Sequence, residues 1–583
     1  MTSESSRPWL ASYAKGVPAE IPTPDQPIHC ALERAAQIYP KRAALEFMGR
    51  ATSYAKLSDQ VSRAAEALRR SGVGRGTVVA IALPNCPQHV VAFHAVLRLG
   101  GIVAEHNPTY TASQFAHQLA DCGASYLIAW DKALAPIAQA LQDNPGAAAK
   151  LKAAFSVDLT RALPLSKRLA LRLPLPKTRL LRQDMTVPGA SPQLAGTPLA
   201  SWDKTVRRGR PLPDGMPGPA VADIALLQYT GGTSGVPKGA ILTHSNLVSN
   251  AVQSVSWVTG LRQGEEIFYA ALPFFHAFGL NLCLVTPPFV GATTVVFPKF
   301  SVDLVLSAHK RAPATLFPGV PPMFDRLEHA AKQRGVSLRG IRYAISGAMA
   351  IDPDLAARWE AASGGMMLSG YGLTETSPII SGDPVSDSRR RGCIGLPYPS
   401  TEVKVTDPGD PTRQLPPGQT GELLVRGPQV FAGYWNSPAE TAAVLLQDGW
   451  FRTGDLVTME PGGFLRLVDR IKEVIVTGGF KVYPSEVEQE LALMPEILEV
   501  AVVGMPGGDL GERVAAAVVL APGAKLELEQ VVRWCRQRLS RYAIPRELFV
   551  LPNLPRSQIG KALRRLVRQQ LLDGVANGQR RTP

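Results

Sequence analysis

Residues 226–247 read LLQYTGGTSGVPKGAILTHSNL, a short apolar run followed by a loop of glycines, hydroxyl side chains and one lysine. Glycines let the backbone turn its N–H groups towards an anion, and hydroxyls and a lysine add donors and positive charge. A strand that runs into such a loop and then into a helix is therefore a candidate phosphate-binding site. Taken alone, the stretch also fits a tight turn without a ligand.

Two common loop motifs do not match this stretch. A Walker A loop has glycine before its lysine and Ser or Thr after it, whereas Pro237 precedes Lys238 and Gly239 follows it. A nucleophile elbow ends in glycine two residues after its serine, and Val236 stands at that position after Ser234. The loop therefore predicts neither a P-loop nucleotidase nor a serine hydrolase.

Composition indicates a multidomain globular protein. A chain of 583 residues exceeds what one hydrophobic core usually organises, and 45% apolar and 19% charged residues are ordinary values. Six scattered cysteines without a C-x-x-C pair favour a reducing compartment, so we expect a cytoplasmic protein without a disulfide framework or zinc site. The first residues lack the apolar core of a signal peptide. The longest apolar stretch, 282–297, is too short to cross a bilayer.

One segment concentrates the positive charge. The net charge is +14, and residues 161–182 contain seven Lys or Arg, no acid, and leucines between them. Two interpretations stay open: a solvated basic loop, or an interfacial segment that attaches the protein peripherally to anionic lipid on the inner face of the cell membrane. Pro164, Pro174 and Pro176 exclude one long helix. No aromatic-basic module or helix-turn-helix pattern accompanies the charge, so we expect no nucleic-acid partner.

Hydrophobic periodicity predicts an α/β protein with two domains. Strand-like runs such as 77–84 and 124–130 alternate with helical patterns such as 87–101. We therefore expect largely parallel sheets flanked by helices in an N-terminal domain of residues 1–468. Residues 469–583 predict a small mobile α+β domain, with helices at 485–494 and 528–540 and strands at 499–506 and 513–522.

Four further motifs follow the opening loop in order. They are SGYGLTETSP (369–378), GWFRTGDL (449–456), DRIKEVIVTGGFKVYPSEVE (469–488) and LPRSQIGKALRR (554–565). Together with YTGGTSGVPKG (229–239), they resemble the adenylate-forming superfamily of acyl-CoA synthetases, aryl-CoA ligases, luciferases and peptide-synthetase adenylation domains. The resemblance spans roughly residues 26–565. The LPFFHAFGL stretch (272–280) and the RPWLASY start are most similar to bacterial long-chain fatty acyl-CoA ligases.

The resemblance implies a two-step reaction with ATP, Mg²⁺ and coenzyme A. A carboxylic acid first becomes an acyl-AMP with release of pyrophosphate, and the thiol of coenzyme A then displaces AMP. We expect a medium- or long-chain fatty acid. An aryl acid of the cinnamate type, or transfer of a fatty acyl group to a carrier protein, stays open as an alternative. Because the chain ends about twenty residues past Lys561, we expect free coenzyme A rather than a fused carrier domain. A homodimer is also left open.

The resemblance also implies an ATP site. The phosphate-binding residues would be Thr230, Gly231, Gly232, Thr233, Ser234, Gly235 and Lys238. Tyr371 would lie against adenine, beside a backbone lining of Gly347, Ala348 and Gly372. Thr374 would bond the α-phosphate, Glu375 would bind Mg²⁺, and Asp455 and Arg470 would bond the ribose. Outside these motifs, Glu375 would be interpreted as a surface ion-pair partner and Asp455 as a turn cap.

The remaining implied residues concern the acid and the second step. Lys561 would reach between the acyl carboxylate and the α-phosphate, although by itself it would be a solvated lysine in a basic tail with Arg564. Lys472 would be the hinge, and Gly478 and Gly479 would face the pantetheine arm. His276 would lie at the mouth of the acyl pocket, although a packed core histidine is the alternative. The residues lining that pocket would be Phe278, Gly279, Gly319 and Val320.

Overall fold

The computed structural model of the chain describes residues 7–187, 194, 196–230, 237–507, 511–557 and 560–576. From residue 28 to 257 its elements are α1 (Ile28–Ile38), β1 (Ala43–Phe47), β2 (Arg50–Ser53), α2 (Tyr54–Arg70), β3 (Val78–Ala82), α3 (Pro87–Arg98), β4 (Ile102–Glu105), α4 (Ala112–Cys122), β5 (Tyr126–Trp130), α5 (Leu134–Asp143), α6 (Pro145–Lys150), β6 (Ala153–Val157), α7 (Leu165–Ala170), α8 (Pro176–Met185), β7 (Leu199–Ser201), α9 (Trp202–Arg208), β8 (Ile224–Thr230), β9 (Lys238–Thr243) and α10 (His244–Trp257).

A seven-stranded sheet organises this part of the chain. Its order is β7-β6-β5-β3-β4-β8-β9, and every neighbouring pair is parallel except β8 and β9. All five side chains of β3 are buried, which is typical of a parallel strand covered on both faces. Pro87 occupies the first turn of α3, where its missing N–H costs no hydrogen bond. The strand-helix alternation predicted for 77–130 is confirmed.

The second part of the chain, up to residue 470, contains β10 (Ile267–Ala270), α11 (Ala277–Leu280), β11 (Thr293–Val296), α12 (Val302–His309), β12 (Leu316–Gly319), α13 (Pro321–Gln333), β13 (Tyr343–Ser346), α14 (Pro353–Ser363), β14 (Met366–Gly372), β15 (Ile379–Gly382), β16 (Leu396–Pro397), β17 (Glu402–Asp407), β18 (Asp410–Gln414), β19 (Thr420–Arg426), α15 (Pro438–Val444), β20 (Phe451–Met459) and β21 (Leu465–Arg470).

These strands form two more sheets. The nine-stranded sheet has the order β16-β15-β14-β13-β12-β10-β11-β1-β2 and is parallel from β14 to β1. A five-stranded antiparallel sheet, β18-β17-β19-β20-β21, follows it in sequence. Largely parallel sheets with helices are therefore present, as predicted. The carboxyl ends of β12, β13 and β14 meet at one edge of the large sheet, which is where ligands bind in α/β folds.

The last part of the chain packs around its own core. Its elements are β22 (Ile475–Thr477), β23 (Phe480–Val482), α16 (Pro484–Leu491), β24 (Ile497–Pro506), β25 (Glu512–Leu520), α17 (Leu528–Arg536), β26 (Glu547–Val550) and α18 (Arg564–Ala576). The two apolar clusters in this part extend from Ile475 to Leu571, whereas the large cluster of the preceding part ends at Leu465. The predicted α+β character is present. Because β21 ends at Arg470, the domain boundary at 468/469 stays a prediction.

The structure differs from one local prediction and agrees with another. The opening loop does not run directly into a helix, because residues 238–243 form β9 and pair antiparallel with β8 before α10 begins. The proline-rich segment 161–182 contains the two short helices α7 and α8, as its prolines require. Among the described helices, we find none with the length and apolar character needed to cross a membrane.

Candidate active site

The hairpin of β8 and β9 brackets the phosphate-loop candidate. Thr230 and Lys238 are opposite one another in its register. The predicted residues Gly231, Gly232, Thr233, Ser234 and Gly235 lie outside the described residues. The Lys238 ammonium is 2.7 Å from a carboxylate oxygen of Glu440 and 5.3 Å from the ring centre of Tyr434. The lysine is thereby oriented by two residues that follow β19.

Glu375 lies next to this lysine's partners. It occupies a short 3₁₀ turn, Thr374–Thr376, immediately after β14. Its Oε1 accepts a hydrogen bond of 2.7 Å from the hydroxyl of Tyr434. Burial raises the pKa of Glu375, and the Tyr434 hydrogen bond and Arg470 partly oppose that shift. A cation at this carboxylate would favour the charged form.

The environment of Glu375 fits a magnesium ion. Mg²⁺ takes oxygen ligands and is commonly held by one or two carboxylates together with substrate phosphates and water. Tyr434 occupies Oε1 of Glu375, which is itself half-buried. Thr374 is half-buried beside it. A carboxylate and a neighbouring hydroxyl thus supply oxygen donors of the kind that the ion prefers.

Tyr371, Asp455 and Arg470 form a second group. The Tyr371 hydroxyl donates to Oδ2 of Asp455 at 2.6 Å, and Nε of Arg470 lies 3.0 Å from Oδ1. Asp455 and Arg470 are register partners in the β20–β21 pair, so the sheet itself sets their separation. Burial and the adjacent Asp455 carboxylate raise the pKa of Tyr371 well above its usual value, which keeps the hydroxyl a donor.

The predicted adenine loop touches the predicted acyl pocket. Gly347 donates its N–H to the carbonyl of Gly319 at 3.2 Å, joining the ends of β13 and β12. A Cβ at Gly347 would lie 3.0 Å from the ring of Phe278, so a side chain there would displace the ring. Ala348 is exposed and has φ of +66°, a left-handed conformation that is uncommon for alanine. Strain of this kind clusters at ligand sites.

Other predicted glycines are fixed by packing. A Cβ at Gly279 would lie 2.2 Å from the carbonyl oxygen of Pro273, and one at Gly372 would lie 1.8 Å from that of Pro378. A Cβ at Gly319 would lie 2.7 Å from the ring of Phe324. Val320 is buried directly after β12. Close packing alone accounts for these glycines, whatever ligand contacts they make.

His276 begins the helix that carries Phe278. Its Nδ1 accepts from the N–H of Phe278 at 3.4 Å, which caps α11. Burial lowers the pKa of His276 to about 4, so the imidazole is neutral at physiological pH. The half-buried position next to Phe278 is compatible with the predicted mouth of the acyl pocket and with a structural cap.

One residue that follows β3 and one residue in β8 hold the loop before His276. Asn85 donates from Nδ2 to the carbonyls of Ala270 and Leu272, at 3.1 and 2.7 Å, and accepts from the N–H of Phe274 at 2.7 Å. Gln228 donates to the carbonyl of Phe275 at 2.7 Å. The loop is therefore positioned from across the interface of two sheets.

Lys561 lies within electrostatic reach of Asp455 and Arg470. Solvent reaches its side chain, but the surrounding protein still lowers the pKa of its ammonium, and the positive charge of Arg470 acts in the same direction. The carboxylates of Glu473 and Asp455 oppose this shift. The turn that carries it is closed by hydrogen bonds between Ser557 and Lys561, 2.7 Å from N–H to carbonyl and 3.1 Å from N–H to hydroxyl.

Arg564 anchors that turn. Its guanidinium, 14% exposed, pairs with Asp469 at 2.8 Å and with Glu473 and Glu488 at 2.5 Å each. It also donates to the hydroxyl of Ser485 at 2.6 Å. Because Asp469 belongs to β21, these contacts connect the Lys561 turn to the end of the five-stranded sheet. We call this set, Arg564 with Asp469, Glu473, Ser485 and Glu488, the Arg564 cluster.

The predicted hinge and pantetheine residues are on the surface. Lys472 is exposed in a 3₁₀ turn, Ile471–Glu473, directly after β21. Gly478 and Gly479 form the two-residue turn between β22 and β23, with φ of +55° and +82°. Two positive φ values in a hairpin turn are typical of type I′, which glycine favours.

The chain resembles known proteins over nearly its whole length. Residues 32–435 match the AMP-binding enzyme family, and residues 486–561 match the AMP-binding enzyme C-terminal domain. The chain belongs to the AMP-binding enzyme family. A long-chain-fatty-acid–CoA ligase of Bacillus subtilis (strain 168) is 34% identical over 569 residues, covering 96% of this chain and 98% of the relative.

Two further relatives of this AMP-binding enzyme bear on its chemistry. A feruloyl-CoA synthase of Amycolatopsis sp. is 33% identical, over 92% of this chain and 97% of its own length. The crystal structure of ATP-bound MatB from Rhodopseudomonas palustris has a TM-score of 0.76 and 26% identity, covering 94% of this chain and 99% of MatB.

Sequence reasoning missed several residues of this AMP-binding enzyme. Tyr434 and Glu440 contact Glu375 and Lys238 from a segment between two motifs. Asn85 follows a buried strand, and a polar residue at that position was the available signal. Arg564 belongs to a quoted motif, but its acidic partners are 76 to 95 residues away, so the local sequence gives no sign of its burial.

Proposed function

We propose that this AMP-binding enzyme joins a medium- or long-chain fatty acid to coenzyme A in two steps. The acid's carboxylate oxygen attacks the α-phosphorus of ATP, and the bond from phosphorus to pyrophosphate breaks. The thiol sulfur of coenzyme A then attacks the acyl carbon, AMP leaves with the C–O electron pair, and the thiol proton is released. The products are acyl-CoA, AMP and pyrophosphate.

The observation that carries this proposal is the group of Tyr371, Asp455 and Arg470, joined by contacts of 2.6 and 3.0 Å, with Lys561 close enough for their charges to act on its ammonium. In the first step an anionic carboxylate approaches an anionic triphosphate, so fixed positive charge and alignment supply most of the rate. Lys561 would lie between the two anions and offset their repulsion. Asp455 and Arg470 would hold the ribose, and Tyr371 the adenine, between Lys561 and the sheet.

Phosphate binding would come from the β8–β9 hairpin and from the turn after β14. Thr230, Lys238 and the loop between them would hold the β- and γ-phosphates, with Thr374 at the α-phosphate. Glu375 would hold the magnesium ion, whose chemistry is to neutralise phosphate charge. The ion pair of Lys238 with Glu440 would have to open, or be shared, when phosphate enters.

The second step would use the last part of the chain as a moving domain. The separate apolar clusters on either side of residues 466–474 support rotation there. Lys472 would be the hinge at the junction, and the Gly478–Gly479 turn would face pantetheine after rotation. A hinge of a few residues at the end of a helix or strand commonly lets a domain close over one site in two different orientations.

The identity of the acid substrate is the more specific part of the proposal. The Bacillus subtilis relative, named for long-chain fatty acids, supports an alkyl chain, and the feruloyl-CoA synthase favours an aryl acid as the second candidate. Phe278, Gly319 and Val320 would line the pocket. Each methylene buried in such a pocket contributes about 0.8 kcal/mol, or roughly fourfold in affinity.

An acid series tests the proposal. The enzyme is given ATP, magnesium and coenzyme A with straight-chain acids from butyrate to stearate, and with cinnamate and ferulate, and acyl-CoA, AMP and pyrophosphate are measured. We expect kcat/KM to rise with chain length by up to about fourfold per methylene until the pocket is filled. Preference for ferulate would establish the aryl alternative. Failure of every acid to produce AMP would refute the proposed activity.

A further inference from the structure

Exposed leucines gather on one segment of the surface. Among the described residues, sixteen large apolar side chains are exposed, and seven of them lie between residues 165 and 187. The seven, which we call the leucine patch, are Leu165, Leu169, Leu173, Leu175, Leu180, Leu181 and Val187, exposed by 41 to 68%. Exposed apolar side chains concentrated on one short segment are a candidate interaction surface.

The segment is anchored, so these leucines are held outwards. Leu163, Leu171 and Met185 are buried against the protein at 2, 6 and 4% exposure. The indole of Trp130 donates to the carbonyl of Met185 at 2.9 Å, and the ammonium of Lys132 donates to that of Gln183 at 2.8 Å. One set of apolar side chains therefore completes the core, while the other set faces solvent.

Unpaired basic side chains surround the patch. Arg172, Arg179 and Arg182 are exposed, and Arg168 is half-buried. Within the described part of the chain, none of these four arginines forms an ion pair. Asp184, the one acid between residues 161 and 187, is paired with Lys299 at 3.1 Å. The surface thus combines large exposed leucine side chains with arginine charges that no ion pair among the described residues neutralises.

We propose that residues 161–187 are a docking surface for an anionic lipid bilayer. Leucines enter the boundary between headgroups and acyl chains, while the arginines remain with anionic headgroups. A second copy of this chain is a poorer occupant, because a two-fold contact would bring the same positive patch against itself. The inference rests on this surface alone and is independent of the proposed reaction.

The test measures binding of the full chain to vesicles by co-sedimentation. We expect the protein to bind vesicles that contain phosphatidylglycerol and to bind pure phosphatidylcholine vesicles at least tenfold more weakly, with the difference reduced by salt. Leu165→Ser/Leu180→Ser should lower the partition coefficient by at least tenfold. Leu493→Ser/Leu498→Ser is the matched control, because both leucines are 65% exposed, like Leu165 at 68% and Leu180 at 64%.

A charge variant completes the test. Arg172→Glu/Arg179→Glu should weaken binding by roughly fivefold or more for each charge removed. Arg533→Glu/Arg536→Glu makes the same charge change at two exposed arginines of α17 and should leave binding within about twofold of wild type. Thermal unfolding establishes that each variant is folded.

Three outcomes would overturn the proposal. Wild-type protein that ignores phosphatidylglycerol would exclude the bilayer as the occupant. Equal losses in the patch variants and in their controls would attribute binding to general charge or hydrophobicity. If sedimentation velocity shows that the wild type is a dimer and the leucine variant a monomer, while vesicle binding is unchanged, the patch would be an interface between copies of the chain.

Discussion

The two sides of the candidate site are built differently. On one side, Tyr371, Asp455 and Arg470 lie on strands. Sheet register places Asp455 opposite Arg470, and a side-chain hydrogen bond joins Tyr371 to Asp455. On the other side, Lys561 lies in a turn outside any helix or strand, in the last part of the chain, within electrostatic reach of Asp455. The side built on strands, the fixed side, is therefore preorganised, whereas in the proposed function Lys561 is delivered by the last part of the chain, the delivered side. Preorganised groups cost no reorganisation during reaction, and a delivered group can be withdrawn for a second step.

Arg564 joins the delivered side to the end of the five-stranded sheet. Arg564, three residues beyond Lys561, links the turn to Asp469 on β21 and to Glu488 on α16. On the fixed side, the hydrogen bond from Tyr371 to Asp455 joins the nine-stranded sheet to the five-stranded sheet, and backbone pairing within each sheet holds the strands that carry them. Variants at Lys561 and Arg564 should therefore separate chemistry from attachment.

The largest effect should come from Lys561→Ala. Loss of the ammonium leaves two anions without a counter-charge in the first step, so we expect acyl-AMP formation to fall by about 10²- to 10³-fold. Pyrophosphate exchange with ATP measures this step. Thioester formation from synthetic acyl-AMP should stay within about threefold of wild type, because in the proposed second step a different face of the domain would meet the site.

Arg565→Ala is the control for this variant, since Arg565 is exposed on the same basic segment. It should leave both steps near wild type. An equal loss of both steps in Lys561→Ala would contradict the delivery of the lysine for one step alone.

Arg564→Ala should have the next largest effect. It leaves Asp469, Glu473 and Glu488 close together without their shared cation, and removal of one partner from a buried ion pair costs about 3 kcal/mol. We expect the free energy of unfolding of the last part of the chain to fall by that amount, measured by urea denaturation. Acyl-AMP formation should fall as well, because the Lys561 turn loses its attachment.

Arg568→Ala provides the comparison. Its ion pair with Glu512 spans 3.3 Å between more exposed side chains and should contribute less than about 1 kcal/mol. Equal stability losses for Arg564→Ala and Arg568→Ala would mean that the Arg564 cluster does not hold the turn.

Local pattern predicted much of the fold. The run at 77–84 became β3, and the amphipathic stretch that follows became α3, because burial of both faces and a helical period are visible in the residues themselves. The order of strands in the two large sheets is set by packing between distant segments, and single-sequence periodicity carries no information about it. The loop after β8 was expected to lead to a helix, and β9 intervenes because 238–243 can pair with β8.

The candidate site likewise contains residues that the sequence predicted and residues that it did not. The motifs pointed to Glu375, Asp455 and Lys561, whose placements are now described while their roles stay predictions. Tyr434 could not be predicted, because the hydrogen bond that makes it relevant joins residues 59 positions apart. A solvated basic tail that includes Arg564 was only the alternative for Lys561 without the family motifs. In the structure three distant carboxylates surround Arg564, which a solvated tail would not provide.

The smallest effect should be a decline of acyl-AMP formation at alkaline pH, here called the limb, that depends on Lys561. The protonated form of Lys561 is the one that offsets the anions, and desolvation, with Arg470 beside it, lowers the pKa of the ammonium. As pH rises through that lowered pKa, acyl-AMP formation should decline, starting below the pH at which an ordinary lysine, with pKa about 10.4, loses its proton. Thioester formation from acyl-AMP should not share this decline. Lys561→Arg should abolish the limb in whatever activity it retains, because a guanidinium stays protonated over the whole range. A limb that persists in Lys561→Arg would assign the titration to another group, and the fixed side would then be the one that responds to pH.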